Sequence, residues 1–369
     1  MAYPAVKGVY WLCDSDFPVY KIESNLFTHI FWGFANLDPK TYNSVLEPQT
    51  LTTYKVYVDE IDNFSIFTTT VLQKNPGVKT LISIGGPKAD VSAFVSMASN
   101  GDARKIFIDS SIKLARDYRF DGLDLDWEYP ASDIEMANFG LLLQEWRVAV
   151  AVDAGNPTQD CALLLTATVS SRPIIKNVKE DQSHSYPFKI IEDNLDWIHV
   201  KEYDFYSSKQ EGDKTHAPAA LYDPVTNTNV SGSHGIIQWI LCGVKPQKMV
   251  LGISFYGYGW KLKDPNNNGI LAPADGPAPW TGLNGSLEYY FIKAFIGKNS
   301  ATTFYDPTYV TDYCYQGKTW FAYDGVPSVK SKVSYLKDLD LRGYFAWHVG
   351  ADDLNGELSS AASQALDGP

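Results

Sequence analysis

The chain has 369 residues, enough for two average domains or for one large α/β barrel. Hydrophobic residues make up 45% and charged residues 20%, as in ordinary globular proteins. A formal net charge of −12 argues against nucleic acid or an anionic membrane as a partner, because both attract basic patches.

Apolar segments alternate along the chain with segments of helical periodicity. This alternation predicts repeated βα units on a parallel sheet. The predicted strands are residues 6–11, 28–36, 81–85, 122–127, 162–169, 197–205, 249–256 and 343–348. The predicted helices are 65–73, 91–98, 102–116, 133–152, 235–241 and 328–339. Because the eight strands are almost continuously apolar, as strands buried on both faces are, they predict an α/β fold, the (β/α)8 or TIM barrel.

The interval 261–323 breaks this alternation. It is rich in Gly, Pro, Asn and Tyr, with a helical stretch at 286–295 and strand-like pieces at 302–304 and 320–323. These features predict a small α+β insertion subdomain between the seventh strand and the seventh helix. Residues 1–260 and 324–369 would then form the barrel, and the insertion would wall one side of a cleft.

Residues 120–130 place four carboxylates within an apolar run. On a strand, alternate side chains share a face, so Asp124, Asp126 and Glu128 project to one side and the Leu and Trp side chains to the other. Acids stacked on one face of a buried strand are costly, because like charges disfavour each other's ionised form. The pattern therefore favours a functional site at the end of the strand, where Glu128 meets a substrate, over an edge strand with a polar face.

The same residues carry a resemblance to a known family. The acids match the DxxDxDxE signature of glycoside hydrolase family 18, the chitinases: Asp121, Asp124, Asp126 and Glu128. Four other segments agree in order and spacing: KTLISIGG (79–86), YDFY (203–206), FYGYGW (255–260) and GYFAWHVGADD (343–353). The sequence resembles those of plant class V chitinases from about residue 6 to the C-terminus. It implies hydrolysis of β-1,4 linkages between N-acetylglucosamine residues.

The resemblance also implies a mechanism in which the substrate's own 2-acetamido oxygen attacks the anomeric carbon, so that no second nucleophilic carboxylate is needed. Glu128 would be the acid/base and Asp126 the partner of the acetamido N–H. Asp124, deeper on the same face, would share a proton with Asp126 and help to keep Glu128 protonated. Asp121 lies off this face and is expected to be structural.

Other candidate residues are predicted at the C-terminal ends of strands, where the chemistry of such barrels lies. The resemblance implies that the Tyr203 hydroxyl contacts the acetamido carbonyl and that Asp204 bonds to the sugar or to the acid. It implies that Trp347 forms the floor beneath the sugar at the point of cleavage.

Three aromatic side chains remain open to two interpretations. Tyr10 and Phe34, at the ends of the first two strands, are either walls of the sugar pocket or core residues. Tyr256, predicted at the end of the seventh strand, either reaches the substrate or packs the insertion.

Lys201 departs from the family pattern, in which Met usually occupies this position. It lies two residues before Tyr203, so on a continuing strand both would face the barrel interior. An ammonium there would pair with Asp126 or Asp204, or occupy the acetamido pocket. Two predicted loops also look unusual: 44–65 is long and 170–186 is polar and charged. Two functions therefore stay open: a hydrolase of chitin oligomers or of modified ones such as lipochitooligosaccharides, and a chitinase-like lectin with weak or no hydrolysis.

The resemblance implies a chitooligosaccharide as the binding partner, with no nucleic acid, no membrane and a monomeric protein. No cofactor or metal is expected.

Four cysteines lack CxxC spacing, which leaves buried thiols or one or two disulfides open: Cys13, Cys161, Cys242 and Cys314. A secreted protein, extracellular or vacuolar, is implied, and sequons at Asn63, Asn229 and Asn284 are compatible with that route. No signal-peptide pattern precedes residue 6, so the leader would have been removed.

Overall fold

The structure, a computed structural model, describes residues 4–38, 44–46, 63–157, 159, 161–177, 182–226 and 228–368. The chain divides into two compact units. The first comprises Met1–Val200 and Gln238–Val250, and the second comprises Lys201–Ile237 and Leu251–Pro369. Most of the segment 44–65, predicted to be an unusually long loop, lies outside the described residues.

Strands and helices alternate along most of the described chain. The strands are β1 (Val6–Leu12), β2 (His29–Leu37), β3 (Ser44–Leu46), β4 (Lys79–Gly85), β5 (Gly122–Asp126), β6 (Leu164–Ser170), β7 (Ile174–Asn177), β8 (Gln182–Ser185), β9 (Trp197–Lys201), β10 (Met249–Ser254), β11 (Tyr256–Leu262), β12 (Ala274–Pro277), β13 (Ser286–Glu288), β14 (Thr302–Asp306), β15 (Thr311–Gln316), β16 (Thr319–Tyr323) and β17 (Gly343–Trp347). The helices are α1 (Asn63–Lys74), α2 (Val91–Ser99), α3 (Gly101–Asp117), α4 (Asp133–Ala154), α5 (Phe188–Asn194), α6 (Gly232–Leu241), α7 (Tyr289–Asn299), α8 (Val326–Asp338) and α9 (Glu357–Asp367).

Eight of the strands close into a barrel. Their hydrogen-bonded order is β1-β17-β10-β9-β6-β5-β4-β2, and β1 also pairs with β2 in parallel register. The short strand β3 pairs with β2 in the antiparallel direction. Strands β4, β5 and β10 are buried along almost their whole length, which explains their nearly continuous Val, Ile and Leu content. The (β/α)8 prediction is confirmed.

Three helices of the first unit begin where the sequence supplies a capping side chain. Asp90 accepts hydrogen bonds from two backbone N–H groups at the start of α2. Asn100 accepts one at the start of α3, and Ser132 accepts one at the start of α4. Each cap satisfies amide groups that have no partner inside the helix, and so determines where the helix starts.

The insertion lies between β10 and α8. It is an antiparallel sheet in the order β12-β11-β16-β15-β14, with β13 also paired to β11, and it carries the helix α7. Its core contains the fully buried Trp260, Trp320 and Leu262, and the two Trp rings lie 5.7 Å apart. An α+β insertion at this place in the chain is confirmed. Its sheet begins at Tyr256, and the domain boundaries at 261 and 323 stay a prediction.

Two predicted strands are too long. The sixth barrel strand, β9, ends at Lys201 and not at 205, and the seventh, β10, ends before Tyr256. Asp204 has a φ of +62°, which a continuing strand does not allow. The chain leaves the barrel at Phe255, whose N–H donates to the carbonyl of Trp347 at 2.7 Å. Tyr256 is therefore the first residue of the insertion sheet and not the last of a barrel strand.

Other elements are absent from the predicted set. The segment 170–186, expected to be a polar loop, contains the antiparallel hairpin of β7 and β8. The helices α5 and α9 and the strands β12 and β15 are also additional. These elements are short or rich in polar and small residues, so hydrophobic periodicity carries little signal for them.

Among the described residues, no helix is long and apolar enough to cross a bilayer. That part of the chain also contains no group of three or more His, Cys, Asp and Glu side chains placed to hold a metal ion. No disulfide joins any of the four cysteines. Of the two alternatives left open for the cysteines, the structure therefore has thiols.

Candidate active site

The acid row occupies the end of β5 in the first unit. The side chains of Asp124 and Asp126 are almost completely buried, with 0% and 2% of their surface exposed. Glu128 follows two residues after the end of the strand and is only half-buried. The intervening Leu125 and Trp127 are buried, and the Trp127 ring stacks on Phe94 at 5.9 Å. This packing anchors the strand end from which Glu128 projects.

Hydroxyl groups from three other strands, the adjacent β4 and β6 and the more distant β1, surround Asp124. Tyr10 on β1 and Ser83 on β4 donate to its Oδ2 at 2.7 and 2.6 Å. Thr166 on β6 donates to Oδ1 at 2.7 Å. Ser83 and Thr166 lie directly opposite Asp124 in the parallel registers of β4 with β5 and of β5 with β6. Asp124 is thus an acceptor at both carboxylate oxygens, as buried polar groups require.

The hydrogen bonds continue beyond Tyr10 into the barrel. The Tyr10 hydroxyl also lies 3.1 Å from Thr168 Oγ1 and 2.8 Å from His199 Nδ1, and Trp197 Nε1 donates to His199 Nε2 at 2.9 Å. Burial, together with Asp124 and Asp126, raises the pKa of Tyr10 well above its usual value. Burial also lowers the pKa of His199 to about 4, partly opposed by Asp124. Both groups are therefore neutral near pH 7.

For Tyr10, the sequence left two interpretations open, a wall of the sugar pocket or a core residue. Its placement matches neither of them fully. Its ring is 1% exposed and stacks on Phe31 at 5.0 Å, so it is buried. Its hydroxyl is nevertheless committed to Asp124. Phe34 is half-buried, with its ring 6.2 Å from that of Tyr10.

Two glycines of the KTLISIGG segment allow close packing around the strand end. A Cβ atom on Gly85, which has a φ of +115°, would lie 2.2 Å from the carbonyl oxygen of Asp126. A Cβ atom on Gly86 would lie 2.6 Å from the Phe34 ring, and the Gly86 N–H donates to the Asp126 carbonyl at 2.8 Å. The two glycines therefore allow the backbone of this segment to approach the acid row closely, and a larger residue at either position would clash.

Sequence reasoning missed several residues of this region. Ser83, Thr166 and His199 follow the inward alternation of their strands, so a search for polar residues at inward positions of β4, β6 and β9 would have found them. Tyr186 had no such signal, since it follows a hairpin that was expected to be a loop. Burial raises the pKa of Tyr186 well above its usual value, and the nearby Tyr129, Glu128 and Asp126 raise it further.

Asp121 lies apart from these acids at the start of the strand. It accepts a hydrogen bond from the Lys79 ammonium at 2.8 Å and another from the backbone N–H of Thr80 at 2.9 Å. Both partners belong to β4, so Asp121 ties two adjacent strands together. This placement fits the structural role expected for it.

In the second unit, Asp204 binds two tyrosines of the insertion sheet. Its Oδ1 accepts hydrogen bonds from the hydroxyls of Tyr256 at 2.5 Å and Tyr258 at 2.8 Å, which share one face of β11. Burial raises the pKa of Tyr256 and of Tyr258, and the nearby Asp204 carboxylate raises both further. Asp204 itself is exposed. Both phenols therefore remain donors to a carboxylate that faces solvent.

Tyr203, Lys201 and Trp347 also belong to the second unit. The Tyr203 ring is buried, and the ring centroids of Tyr256 and Phe345 each lie 6.1 Å from its own. The Lys201 ammonium lies 5.7 Å from the centroid of the Tyr203 ring, although the strand that was expected to align the two side chains ends at Lys201. Trp347 ends β17 and is half-buried.

A closed (β/α)8 barrel with a row of acids at a strand end is an arrangement that fits a barrel enzyme that cleaves glycosidic bonds. The model of the glycosyl hydrolases family 18 matches residues 7–352. The chain therefore belongs to glycoside hydrolase family 18.

The similarity to individual proteins extends over the whole chain. The chain is 46% identical to a class V chitinase of Arabidopsis thaliana, and the match covers 100% of this chain and 91% of that protein. A crystal structure of a mutant class V chitinase from Nicotiana tobaccum in complex with NAG4 is 45% identical, with a TM-score of 0.90 over 98% of this chain and 99% of that one. A chitinase-like agglutinin from Robinia pseudoacacia is 41% identical, with a TM-score of 0.86 over 98% and 100%.

Proposed function

We propose that the protein hydrolyses β-1,4 linkages between N-acetylglucosamine residues of chitin oligomers with net retention of the anomeric configuration. The observation that carries the proposal is the acid row of β5, in which buried Asp124 and Asp126 lead to half-exposed Glu128. Only the last acid is accessible enough to meet a glycosidic oxygen. The buried acids before it provide the charged support that such chemistry needs.

In the proposed reaction, the protonated Glu128 carboxyl donates its proton to the glycosidic oxygen as the bond from that oxygen to the anomeric carbon breaks. The acetamido oxygen of the same sugar attacks the anomeric carbon and forms a cyclic oxazolinium ion. Asp126 accepts the acetamido N–H and stabilises the positive charge. The Glu128 carboxylate then takes a proton from the water that opens the ring, which restores the enzyme.

We also propose that residues of the second unit bind the sugar. The Tyr203 hydroxyl would contact the acetamido carbonyl, and the exposed Asp204 would accept hydrogen bonds from sugar hydroxyls. Trp347 would stack beneath the ring. Support comes from Tyr256 and Tyr258, which donate to only one oxygen of Asp204. We also propose that the protein acts as a monomer.

The first test replaces the acid. Glu128→Gln should lower turnover of chitooligosaccharides by roughly 10²–10⁴-fold, because the amide cannot supply the proton. The fold and the affinity for the oligosaccharide should be preserved, as measured by circular dichroism and calorimetry. Glu23→Gln is the matched control, since Glu23 is an exposed partner of Lys74. A Glu128→Gln enzyme that keeps more than a tenth of the activity would remove Glu128 from its role.

A second experiment, on the unmodified protein, identifies the nucleophile. NMR of freshly released product should show the β anomer first, and a substrate without its N-acetyl group should not be cleaved. Initial α anomer, or cleavage of the deacetylated substrate, would point to a mechanism that does not use the acetamido group.

The alternative is a chitinase-like lectin that binds the sugar with little hydrolysis. The observation that favours it is Lys201, which places an ammonium beside the Tyr203 ring where the family usually has Met. The similarity to a chitinase-like agglutinin from Robinia pseudoacacia also supports this alternative. Wild-type protein that binds chitooligosaccharides but releases no product would establish the lectin. Faster turnover of a lipidated oligomer than of a plain one would instead identify modified chitooligosaccharides as the substrates.

We propose secretion, to the cell exterior or the vacuole, as part of this function. Asn284 supports it, because this exposed sequon residue accepts hydrogen bonds at its Oδ1 from the backbone and hydroxyl of Ser286. Its amide nitrogen is thus turned outward, as a glycan acceptor must be. Expression through a secretory pathway should add a glycan that Asn284→Gln removes. Protein secreted with no glycan at Asn284 would leave this part of the proposal without support.

A further inference from the structure

We infer that His199 is a positioning residue for the proposed reaction, because it makes the Tyr10 hydroxyl donate its hydrogen to Asp124. The inference rests on the proposed function, in which Asp124 belongs to the acid row. Its basis is a buried chain of hydrogen bonds that runs from Trp197 through His199 and Tyr10 to Asp124.

The indole of Trp197 determines which nitrogen of His199 carries the proton. An indole N–H can only donate, and it lies 2.9 Å from His199 Nε2, so Nε2 must be the acceptor. The proton of the neutral ring is then on Nδ1. The opposite tautomer would oppose two N–H groups inside the barrel, where His199 is 0% exposed and water cannot separate them.

The Nδ1–H group in turn orients the hydroxyl of Tyr10. Nδ1 lies 2.8 Å from the Tyr10 oxygen, which therefore accepts from the ring. The hydrogen of the Tyr10 hydroxyl is left for Asp124 Oδ2 at 2.7 Å or for Thr168 Oγ1 at 3.1 Å. The bond to the carboxylate is shorter and charge-assisted, so it is favoured. If Nδ1 were an acceptor, Tyr10 would donate to it and Asp124 would lose a donor.

The consequence concerns the acid row. With Tyr10 and Ser83 both donating to Oδ2 and Thr166 donating to Oδ1, the carboxylate of Asp124 has one orientation. Asp126 is the next residue on the same face of β5, so its surroundings are preorganised by that orientation. His199 touches no substrate in this scheme. Its Nδ1 lies 2.8 Å from the Tyr10 oxygen and 3.5 Å from Asp124 Oδ1, so its hydrogen bond goes to Tyr10 and it acts mainly through that residue.

The test compares two substitutions of His199. In His199→Leu the donor is lost, and kcat on chitooligosaccharides should fall about tenfold with little change in KM. In His199→Asn the side-chain amide nitrogen can occupy nearly the position of Nδ1 and donate to Tyr10, so kcat should stay within about threefold of wild type. An equal loss of kcat in both variants would overturn the inference.

A double-mutant cycle separates positioning from general packing. In a Tyr10→Phe background, His199→Leu should have little further effect on kcat, because the group through which it acts is gone. Independent, additive losses would overturn the inference. Trp197→Phe should lower kcat in part, since the tautomer is no longer enforced. Trp146→Phe is its matched control, as Trp146 is also fully buried and its indole nitrogen makes no hydrogen bond among the described residues.

The tautomer is measurable without any activity assay. Nitrogen NMR of protein labelled in its histidine rings should show His199 with a protonated Nδ1 and an unprotonated Nε2 at pH 6–7. The reverse assignment would overturn the inference even if every variant were poorly folded. An active Glu128→Gln enzyme would refute the proposed function, whereas an inactive Glu128→Gln beside a fully active His199→Leu would refute only the inference.

Discussion

Two carboxylates of this protein each accept hydrogen bonds from tyrosine hydroxyls, but they do so in opposite settings. Asp124, in the first unit, is fully buried, and both of its oxygens accept hydrogen bonds. Asp204, in the second unit, is exposed and uses a single oxygen for Tyr256 and Tyr258. The same pair of functional groups therefore serves two different purposes.

The difference follows from what water can supply. A buried carboxylate loses its hydration and must find every hydrogen bond within the protein, so Asp124 accepts hydroxyl donors from three other strands. An exposed carboxylate keeps water on its remaining oxygen and can exchange it for a ligand. Asp124 is therefore fixed in one orientation, whereas Asp204 can exchange water for a polar ligand, as its proposed contact with a sugar requires.

The largest expected effect separates these two carboxylates by an isosteric change. Asp124→Asn replaces one acceptor oxygen by an N–H₂ donor, so either the Thr166 hydroxyl or those of Tyr10 and Ser83 must reverse or lose their hydrogen bonds, and the charge-assisted bonds to the carboxylate are weakened. This should destabilise the protein by about 3 kcal/mol. Asp204→Asn can turn its N–H₂ toward solvent and keep Oδ1 as an acceptor, so the loss should be below about 1 kcal/mol. Urea denaturation measures both values. Equal losses in the free energy of unfolding would show that the difference in burial between Asp124 and Asp204 does not affect stability.

A smaller effect distinguishes two histidines, one in each unit. Burial lowers the pKa of His199 to about 4, while the unfolded chain binds a proton near pH 6.5. Between these values the unfolded state holds more protons, so the free energy of unfolding falls as the pH is lowered from 6.5 to 4. His199→Asn should remove the contribution of this group to that fall.

His216 is the comparison for that measurement. It is only partly buried, with its ring stacked on Tyr206 at 4.2 Å, and burial lowers its pKa. His216→Asn should therefore change the slope of unfolding free energy between pH 4 and 6.5 in the same direction but by less. A larger change from His216 than from His199 would contradict the burial argument.

The smallest expected effect concerns Lys201 in the second unit. Lys201→Met removes the ammonium beside the Tyr203 ring and restores the side chain usual in the family. Because the ammonium disfavours positive charge nearby, we expect kcat/KM on plain chitooligosaccharides to rise about threefold, with a shift of the acidic limb of the pH profile. Unchanged rate, pH profile and substrate preference would make Lys201 a structural substitution.

Much of the first unit could be predicted because its signals are local. The DLDWE pattern assigns Asp124 and Asp126 to one face by the two-residue period of a strand, and the structure has them buried on β5. The donors to Asp124 could not be predicted in the same way. Ser83 and Thr166 meet it only through the register of three strands that are about 40 residues apart in the chain.

Less of the second unit could be predicted, since its geometry depends on where strands stop. Residues 197–205 were predicted to be one strand, but β9 ends at Lys201, where the segment turns polar, and Asp204 adopts a left-handed backbone conformation. Tyr256 was expected at the end of a barrel strand, but it begins the insertion sheet. A strand ends where its neighbours cease to offer hydrogen bonds, which is a property of the sheet and not of the segment.

The sequence by itself determined the barrel, the place of the insertion and the acid row, because burial patterns and the period of a strand are written residue by residue. Only the tertiary structure decided which hydroxyls reach Asp124, that His199 and Trp197 stand behind Tyr10, and that Asp204 is held by Tyr256 and Tyr258. The physical reason is that a hydrogen bond requires two groups within about 3 Å. Closure of the sheet, and not sequence distance, brings such groups together.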